Sequence, residues 1–434
     1  MLLLLVALLA LGERPLQLQG HLAQLAVEVG DLPAQAPHVA ARRQVDEVPD
    51  GAAARLDLAA HPRLRPRRQP ERVQERVAAH RLLHPGGQRA FGGVERLEPQ
   101  GLAGRHARRL PRSRGATRGS PRTLRRVTLP TQIQRATLPN GIELAYETFG
   151  DPADPPVVLV MGLATQMIGW PDGFCAELVA RGLFVVRFDN RDVGLSTHLH
   201  DAKPADPVAA FNGDTSSASY TLAELAGDTV ALLDHLGFDA VHLVGASMGG
   251  MIAQTVAIEH PERVRTLTSI MSNTGDGKGG LPEEAAFGVL MARPATTRDE
   301  AIEKSVAGWK VIGSPGFAFD EEAVRERAGL AFDRGHDPAG TARQLVAVLA
   351  SPDRTERLGG VRVPTLVIHG KADILVHPSG GQTTAAAIPG AELVLMDGMG
   401  HDLPRELWPQ IVGELAANAS RATSESGVAL AANP

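Results

Sequence analysis

Val241-His242-Leu243-Val244-Gly245-Ala246-Ser247-Met248-Gly249-Gly250 is the stretch from which the fold of this 434-residue chain is read. Mostly apolar residues lead into Gly-x-Ser-x-Gly, and Met251-Ile252-Ala253-Gln254-Thr255-Val256-Ala257-Ile258 then reads as a helix. A strand that turns sharply into a helix puts the middle serine on a strained corner, its hydroxyl exposed above the sheet. A side chain at 245 or 249 would collide with neighbouring backbone, which is the physical reason for glycine at both positions. The helix that starts there aims unpaired N–H groups and a positive dipole end at whatever the serine attacks. In a chain with 46 glycines the pentapeptide alone says little. The strand before it and the helix after it make Ser247 a candidate nucleophile.

Working outward from that corner, the chain alternates strands and helices. Ile142-Glu143-Leu144-Ala145-Tyr146-Glu147-Thr148-Phe149 alternates apolar and polar residues as a half-exposed strand does, and Asn140-Gly141 before it marks an antiparallel hairpin turn. Residues 155–162 form a continuous apolar run ending in glycine, the pattern of a strand buried on both faces. A helix is predicted over 172–182, a strand over 183–188, an amphipathic helix over 222–237 and another buried strand over 264–271. Strands alternating with helices imply a parallel sheet with right-handed crossovers. The turn Asp189-Asn190-Arg191-Asp192-Val193-Gly194-Leu195-Ser196 is read chiefly as turn chemistry, its Asp, Asn and Ser bonding to their own backbone, with substrate contact as the rival. From 272 to 351 the strands stop. Helices are predicted at 282–291, 297–312, 320–333 and 339–350, an insertion that reads as a cap roofing the site. Strands at 364–370 and 392–396, with a helix at 380–387 between them, resume the sheet. A closing helix at 403–417 precedes a tail expected to lack structure from 420.

A serine hydroxyl is a weak nucleophile at neutral pH and needs a neighbouring base, itself oriented by an acid. On such a sheet both follow later strands in the order serine, acid, histidine. His401, in Asp397-Gly398-Met399-Gly400-His401, directly follows the last strand, and its glycines let the backbone swing the imidazole inward. His369 and His377 also stand near strand ends but lack that flexible lead-in. For the acid, Asp373 lies just past the preceding strand, and Asp276 in the loop after the strand ending at Met271 is its rival. Asp397 and Asp402 are too near His401 in sequence to orient it easily. The oxyanion needs two donors, for which the backbone N–H groups of Met248 and Leu163 are the candidates.

Composition divides the chain. Residues 1–130 hold 22 of the 44 basic residues, every one an arginine, and 11 of the 49 acidic residues. All five lysines lie later, and the acidic remainder argues against nucleic acid or an anionic membrane as partner. Cys175 is the sole cysteine, which excludes an intrachain disulfide and a multi-cysteine metal site; a small buried side chain is its expected role. Residues 1–11 are apolar but too short to span a bilayer in the usual way, and they lack the positive start and cleavage site of a secretory signal. Prolines then interrupt any helical pattern, and residues 106–126 carry a basic cluster. Three readings stand for 1–127: a basic arm, a disordered leader, or translated GC-rich DNA upstream of the true start. The last is preferred, and on any of them the segment adds little to function.

The residues quoted so far resemble the α/β-hydrolase fold family, and more narrowly its aclacinomycin methylesterase branch. The resemblance rests on Phe149-Gly-Asp-Pro-Ala-Asp-Pro155, Leu159-Val-Met-Gly162, Ile168-Gly-Trp-Pro-Asp172, Asp192-Val-Gly-Leu-Ser196, Gly245-Ala-Ser-Met-Gly249, Trp309-Lys-Val-Ile312 and Gly398-Met-Gly-His401. It covers roughly 128 to 418, with the core expected at 128–271 and 352–419 and the cap at 272–351. It implies Ser247 as nucleophile, Asp373 as acid, His401 as base, and Leu163 and Met248 as oxyanion donors. Leu163 stands where that branch has a second glycine, which narrows one wall of the pocket. The expected function is a serine hydrolase cleaving a small or medium carboxylic ester through an acyl-enzyme, with no cofactor and no metal. Its expected partners are the ester and water, with no nucleic acid and no membrane, and its expected location is the cytoplasm, secretion being the alternative. An aminopeptidase, a perhydrolase or a non-catalytic receptor on the same fold are the competing readings. Dehalogenases and epoxide hydrolases carry aspartate at the corner, and Ser247 argues against them.

Overall fold

The computed structural model describes residues 132–431, and the readings made for residues 1–127 lie outside them. Eight strands form one sheet in the order β1-β2-β4-β3-β5-β6-β7-β8. β1 (Gln134–Thr137) and β2 (Glu143–Phe149) are the antiparallel edge, joined by a turn in which Gly141 has φ +83° and the Leu138 N–H bonds to Ile142 O at 2.7 Å. β3 (Pro156–Val160), β4 (Phe184–Phe188), β5 (Val241–Ala246), β6 (Val264–Ile270), β7 (Thr365–Gly370) and β8 (Glu392–Met396) run parallel.

The unbroken apolar runs are explained by two cores, one on each face. Val158 and Val160 of β3 face helices α3 (Leu222–Leu236) and α4 (Met248–Glu259), packing with Leu225, Leu233, Ile252 and Val256. Val157 and Leu159 face the other way, onto Phe174 and Leu178 of α1 (Asp172–Ala180) and onto Ile411 and Leu415 of the last helix. Successive strand residues point to opposite faces, so a strand covered on both sides is apolar throughout. Helix α3 starts in a reciprocal capping box between Thr221 and Glu224 and ends at Gly237 with φ +72°.

Between β3 and β5 lies the point where strand order reverses, because β4 was laid down on one side of β3 and β5 on the other. A crevice opens at the carboxyl ends of strands at such a point. The strand-to-helix corner sits there under tight steric control. A carbon added at Gly245 would fall 2.0 Å from the Gly249 carbonyl oxygen, and one added at Gly249 would fall 2.1 Å from that of Val160.

Between β6 and β7 the chain is helical. Helix α2 (Pro207–Phe211), earlier in the chain, is a short turn absent from the sequence reading. The insertion comprises α5 (Glu284–Leu290), α6 (Arg298–Ile312), α7 (Glu321–Arg334) and α8 (Pro338–Ala350), followed by a one-turn α9 (Thr355–Leu358). Helix α10 (Ser379–Ala387) links β7 to β8. The closing helix α11 spans Trp408–Ala431, where the sequence reading began a helix at 403 and ended all structure at 420. Pro409 as second residue sets the later start, and the alanine-rich sequence beyond 417, free of proline up to Ala431, carries the helix on.

Gly249→Ala is expected to cost about 3 kcal/mol or more in urea unfolding, the upper end of overpacking penalties. Gly227→Ala, on α3 where an added carbon meets nothing within 4 Å, is expected to stabilise by about 0.5–1 kcal/mol. Equal effects at the two sites would contradict the packing described.

Candidate active site

Ser247 sits on the corner with φ 55° and ψ −123°, a backbone conformation that costs an ordinary side chain about 1–3 kcal/mol. Its N–H is tied to Ile270 O at 2.9 Å, and the buried helix behind it holds the strain in place. His401 reaches it from the loop after β8. A carbon added at Gly370 would meet Met399 O at 2.2 Å, so this loop lies directly on the end of β7, and Gly398 turns it with φ +70°. The helical insertion clasps the same loop: the His401 N–H donates to Ile312 O at 2.8 Å, the Gly400 N–H to Ser314 Oγ at 2.8 Å, and the Gly316 N–H to Gly398 O at 2.9 Å.

The structure joins three of the candidate residues into one hydrogen-bonded chain. His401 Nε2 is 3.0 Å from Ser247 Oγ, and His401 Nδ1 is 2.7 Å from Asp373 Oδ2. A carboxylate only accepts, so the proton belongs on Nδ1 and Nε2 is left to accept from the serine hydroxyl. Asp373 Oδ1 is held by the N–H groups of Leu375 and Val376, each at 2.9 Å. Burial alone would raise the pKa of Asp373. The charge of His401, the adjoining His369 and His401 hydrogen bonds and the Val376 N–H outweigh it and hold this carboxyl well below the usual carboxylate range.

The segments carrying the two amide candidates are neighbours because β3 pairs with β5, Val160 lying opposite Gly245. A carbon added at Gly162 would lie 3.0 Å from Ser247 Cβ, so the Gly162-Leu163 backbone passes beside the serine. The Gly250 and Met251 N–H groups bond back to Ser247 O, at 2.9 and 3.3 Å, which leaves the Met248 N–H at the helix tip without an intrahelical acceptor.

The rivals have other partners, although His369 adjoins Asp373, its Nε2 3.5 Å from Asp373 Oδ2. Asp276 Oδ1 accepts from the Lys278 and Gly279 N–H groups of its own loop. Asp397 pairs with Lys371 at 2.7 Å, and Asp402 accepts from Ser314 Oγ. His369 donates from Nε2 to Val376 O at 2.7 Å, and His377 bonds to Ser379. Cys175 is buried, and desolvation pushes its thiol up to about 12, in keeping with an inert core residue.

The turn at 189–196 does more than hold itself. Asp189 accepts from the N–H of Leu195, as turn chemistry predicts, but also from the Met167 N–H of the loop after β3 and from Arg334 Nη2 at 2.7 Å. Asp192 accepts from the Leu199 N–H, from Tyr220 Oη and, through both oxygens, from Arg343. Gln166, in the loop after β3, bonds to Ala331 O, Gly335 O and Arg334 Nε, and Gln344 bonds to the Ala164 N–H and Arg191 O. None of Gln166, Arg334, Arg343 and Gln344 was singled out in the sequence, because no spacing rule links a cap helix to a turn some 150 residues earlier. Asp192, His198 and Asp337 offer ligand atoms within 4.8 Å of one another. The Arg343 guanidinium bonds to both carboxylates, so this cluster is an ion-pair network with its own cation.

A family profile described as alpha/beta hydrolase fold matches residues 155–404. The chain is 32% identical to rhodomycin D methylesterase from Streptomyces peucetius over 65% of this chain and 96% of that protein. Among solved structures it is similar to a hydrolase from Pseudomonas aeruginosa, 26% identical with a TM-score of 0.50, covering 66% of this chain and 98% of the other. It also shares the fold of the enol-lactonase from Burkholderia xenovorans, 24% identical with a TM-score of 0.53, over 66% of this chain and all of that one. Among the described residues no helix is long and apolar enough to cross a membrane.

The depressed carboxyl of Asp373 has a consequence in acid. Its ionised form contributes stability above the unfolded value of about 4, and that contribution is lost as pH falls below it towards the folded value. Asp373→Asn is expected to lose melting temperature less steeply than the wild type between about pH 5 and pH 3. Parallel curves would show that the carboxylate is not held as described.

Proposed function

From the premise that this chain belongs to the alpha/beta hydrolase fold family, we propose that it is a serine hydrolase cleaving a small or medium carboxylic ester through an acyl-enzyme. The observation that carries this reading is the relay from Asp373 through His401 to Ser247, at 2.7 and 3.0 Å. His401 Nε2 takes the proton as Ser247 Oγ attacks the ester carbonyl, and the imidazolium so formed is held by the Asp373 carboxylate. The carbonyl oxygen, now an anion, is received by the N–H groups of Leu163 and Met248 at the positive end of α4. His401 then gives its proton to the leaving alcohol, and the ester bond breaks to leave the acyl group on Ser247. Water, deprotonated by His401 in turn, releases the acid and frees the serine.

Similarity to a methylesterase over nearly the whole of that protein supports an ester with a small alcohol portion. On this reading the core comprises 128–271 and 352–419 and the cap 272–351. The chemistry uses no cofactor and no metal.

A fluorophosphonate probe is expected to label the wild-type protein and to leave Ser247→Ala unlabelled, with hydrolysis of p-nitrophenyl acetate in that variant reduced on the order of 10⁴-fold or more. Labelling that survives the substitution, or hydrolysis that does, would overturn the assignment.

A further inference from the structure

We propose that Gln344, carried on α8 of the helical insertion, is a positioning residue for the oxyanion donor at Leu163. The inference rests on the serine-hydrolase reading and extends it to a residue remote from the reacting atoms. The loop after β3 is a tight turn, Gly162-Leu163-Ala164-Thr165, closed by the Thr165 N–H on Gly162 O at 3.2 Å. Ala164, its third residue, has φ 56°. That is the geometry glycine adopts freely and an alanine resists, so the central peptide of the turn has a relaxed alternative in which it is flipped over.

Both polar atoms of that central peptide are held. Leu163 O accepts from Thr165 Oγ1 at 3.1 Å, and the Ala164 N–H donates to Gln344 Oε1 at 2.9 Å. The peptide bearing the Leu163 N–H is hinged to it at one α-carbon, so fixing the second plane removes a torsion through which the first would swing. Gln344 is suited to the task because its own amide cannot rotate: it is fully buried, and its Nε2 donates to Arg191 O at 2.8 Å. The residue before it fixes the helix on which it rides, Arg343 gripping Asp192 at 2.6 and 2.8 Å. One turn N-terminal to α8, Arg334 bonds to Asp189 and to Gln166 of the same loop. The oxyanion loop of the core is thus built partly by the insertion, and it is in register only while α8 is docked.

A backbone N–H is useful to a developing oxyanion only if it already points at it, because reorienting during the reaction costs what the hydrogen bond returns. Loss of the Gln344 acceptor therefore weakens transition-state binding and leaves ground-state binding of the ester nearly unchanged. Gln344→Met keeps the side-chain length and removes both hydrogen bonds. Gln344→Glu keeps an acceptor oxygen for Ala164 and, protonated by burial, an O–H donor for Arg191 O.

With p-nitrophenyl acetate as probe, Gln344→Met is expected to lower kcat by about 10- to 100-fold, less than the about 10²–10³-fold cost of deleting a donor outright. KM is expected to stay within about twofold, and affinity for an alkylboronic acid, which forms a tetrahedral adduct on the serine, to fall by the same factor as kcat. Gln344→Glu is expected to recover most of both losses. A kcat within about threefold of wild type in Gln344→Met, or a loss of kcat with unchanged boronic-acid affinity, would overturn the proposal, since a merely structural role lowers the melting temperature without separating kcat from KM. Should Gln344→Met not fold, Gln344→Leu, which also removes both hydrogen bonds, takes its place and is read by the same kcat, KM and boronic-acid measurements with the same thresholds. Ser247→Ala, measured in parallel, separates the two levels of the argument. Wild-type turnover in that variant would remove the serine-hydrolase reading and this inference with it, whereas a dead Ser247→Ala beside an unimpaired Gln344→Met would remove this inference alone.

Discussion

The structure depends on how closely helix α4 approaches the sheet at the strand-to-helix corner. Gly245 and Gly249 face each other and the Val160 carbonyl at distances that leave no room for a side chain. That contact forces the chain to reverse within one residue, which is why Ser247 takes a positive φ that its own chemistry disfavours. From the same contact follow the half-buried place of its hydroxyl beside His401 and the position of the Met248 N–H at the helix tip. It also brings the loop after β3 to within van der Waals distance of the serine. A corner of this kind stores strain that the packed helix and the Ile270 hydrogen bond offset.

The sheet carries the three residues of the proposed relay, and the helical insertion bonds to the loops on which two of them lie. Ser247, Asp373 and His401 each stand on a loop following a parallel strand, at the edge where such loops gather. The hydrogen bonds of these loops run outward to the insertion: His401 and Gly400 to Ile312 and Ser314, Ala164 to Gln344, Gln166 to Ala331 and Gly335. The insertion is therefore tied to these loops on more than one side. Its charged anchors are buried, Arg334 on Asp189 and Arg343 on Asp192. Such pairs add little net stability over apolar contacts of the same volume, but a mispaired partner is costly, so they fix one docking geometry. Burial would raise the Asp192 carboxyl; the hydrogen bonds from Arg343, Leu199 and Tyr220 outweigh it and hold the group below its ordinary value, so the pair is charged at neutral pH.

Much of this was legible along the chain. The alternation at 142–149, the unbroken runs at 155–162 and 264–271 and the elbow itself reflect backbone geometry and face burial, which repeat over a few residues and leave a local trace. His401 was legible because glycines flank it and a strand precedes it. The 189–196 turn was half legible: its backbone bonds follow from Asp and Ser chemistry, whereas its grip on Arg334 and Arg343 leaves no mark nearby. The extent of α11 is not legible because a run of alanine, serine and asparagine is equally at home in a tail or a helix.

By itself the sequence determined the order of strands and helices, the sharp corner at Ser247 and the candidate set on the loops around it. Asp373 was already the favoured acid over Asp276, and tertiary structure supplies the reason, since only the meeting of the β7 and β8 loops brings a carboxylate to 2.7 Å from His401. It also decided what holds the site in register, through partners as far apart as Ala164 and Gln344, 180 positions along the chain. Periodicity reports what a segment does within its own few turns. Which distant side chain meets it is set by the packing of the whole sheet and its insertion, and no local pattern records that.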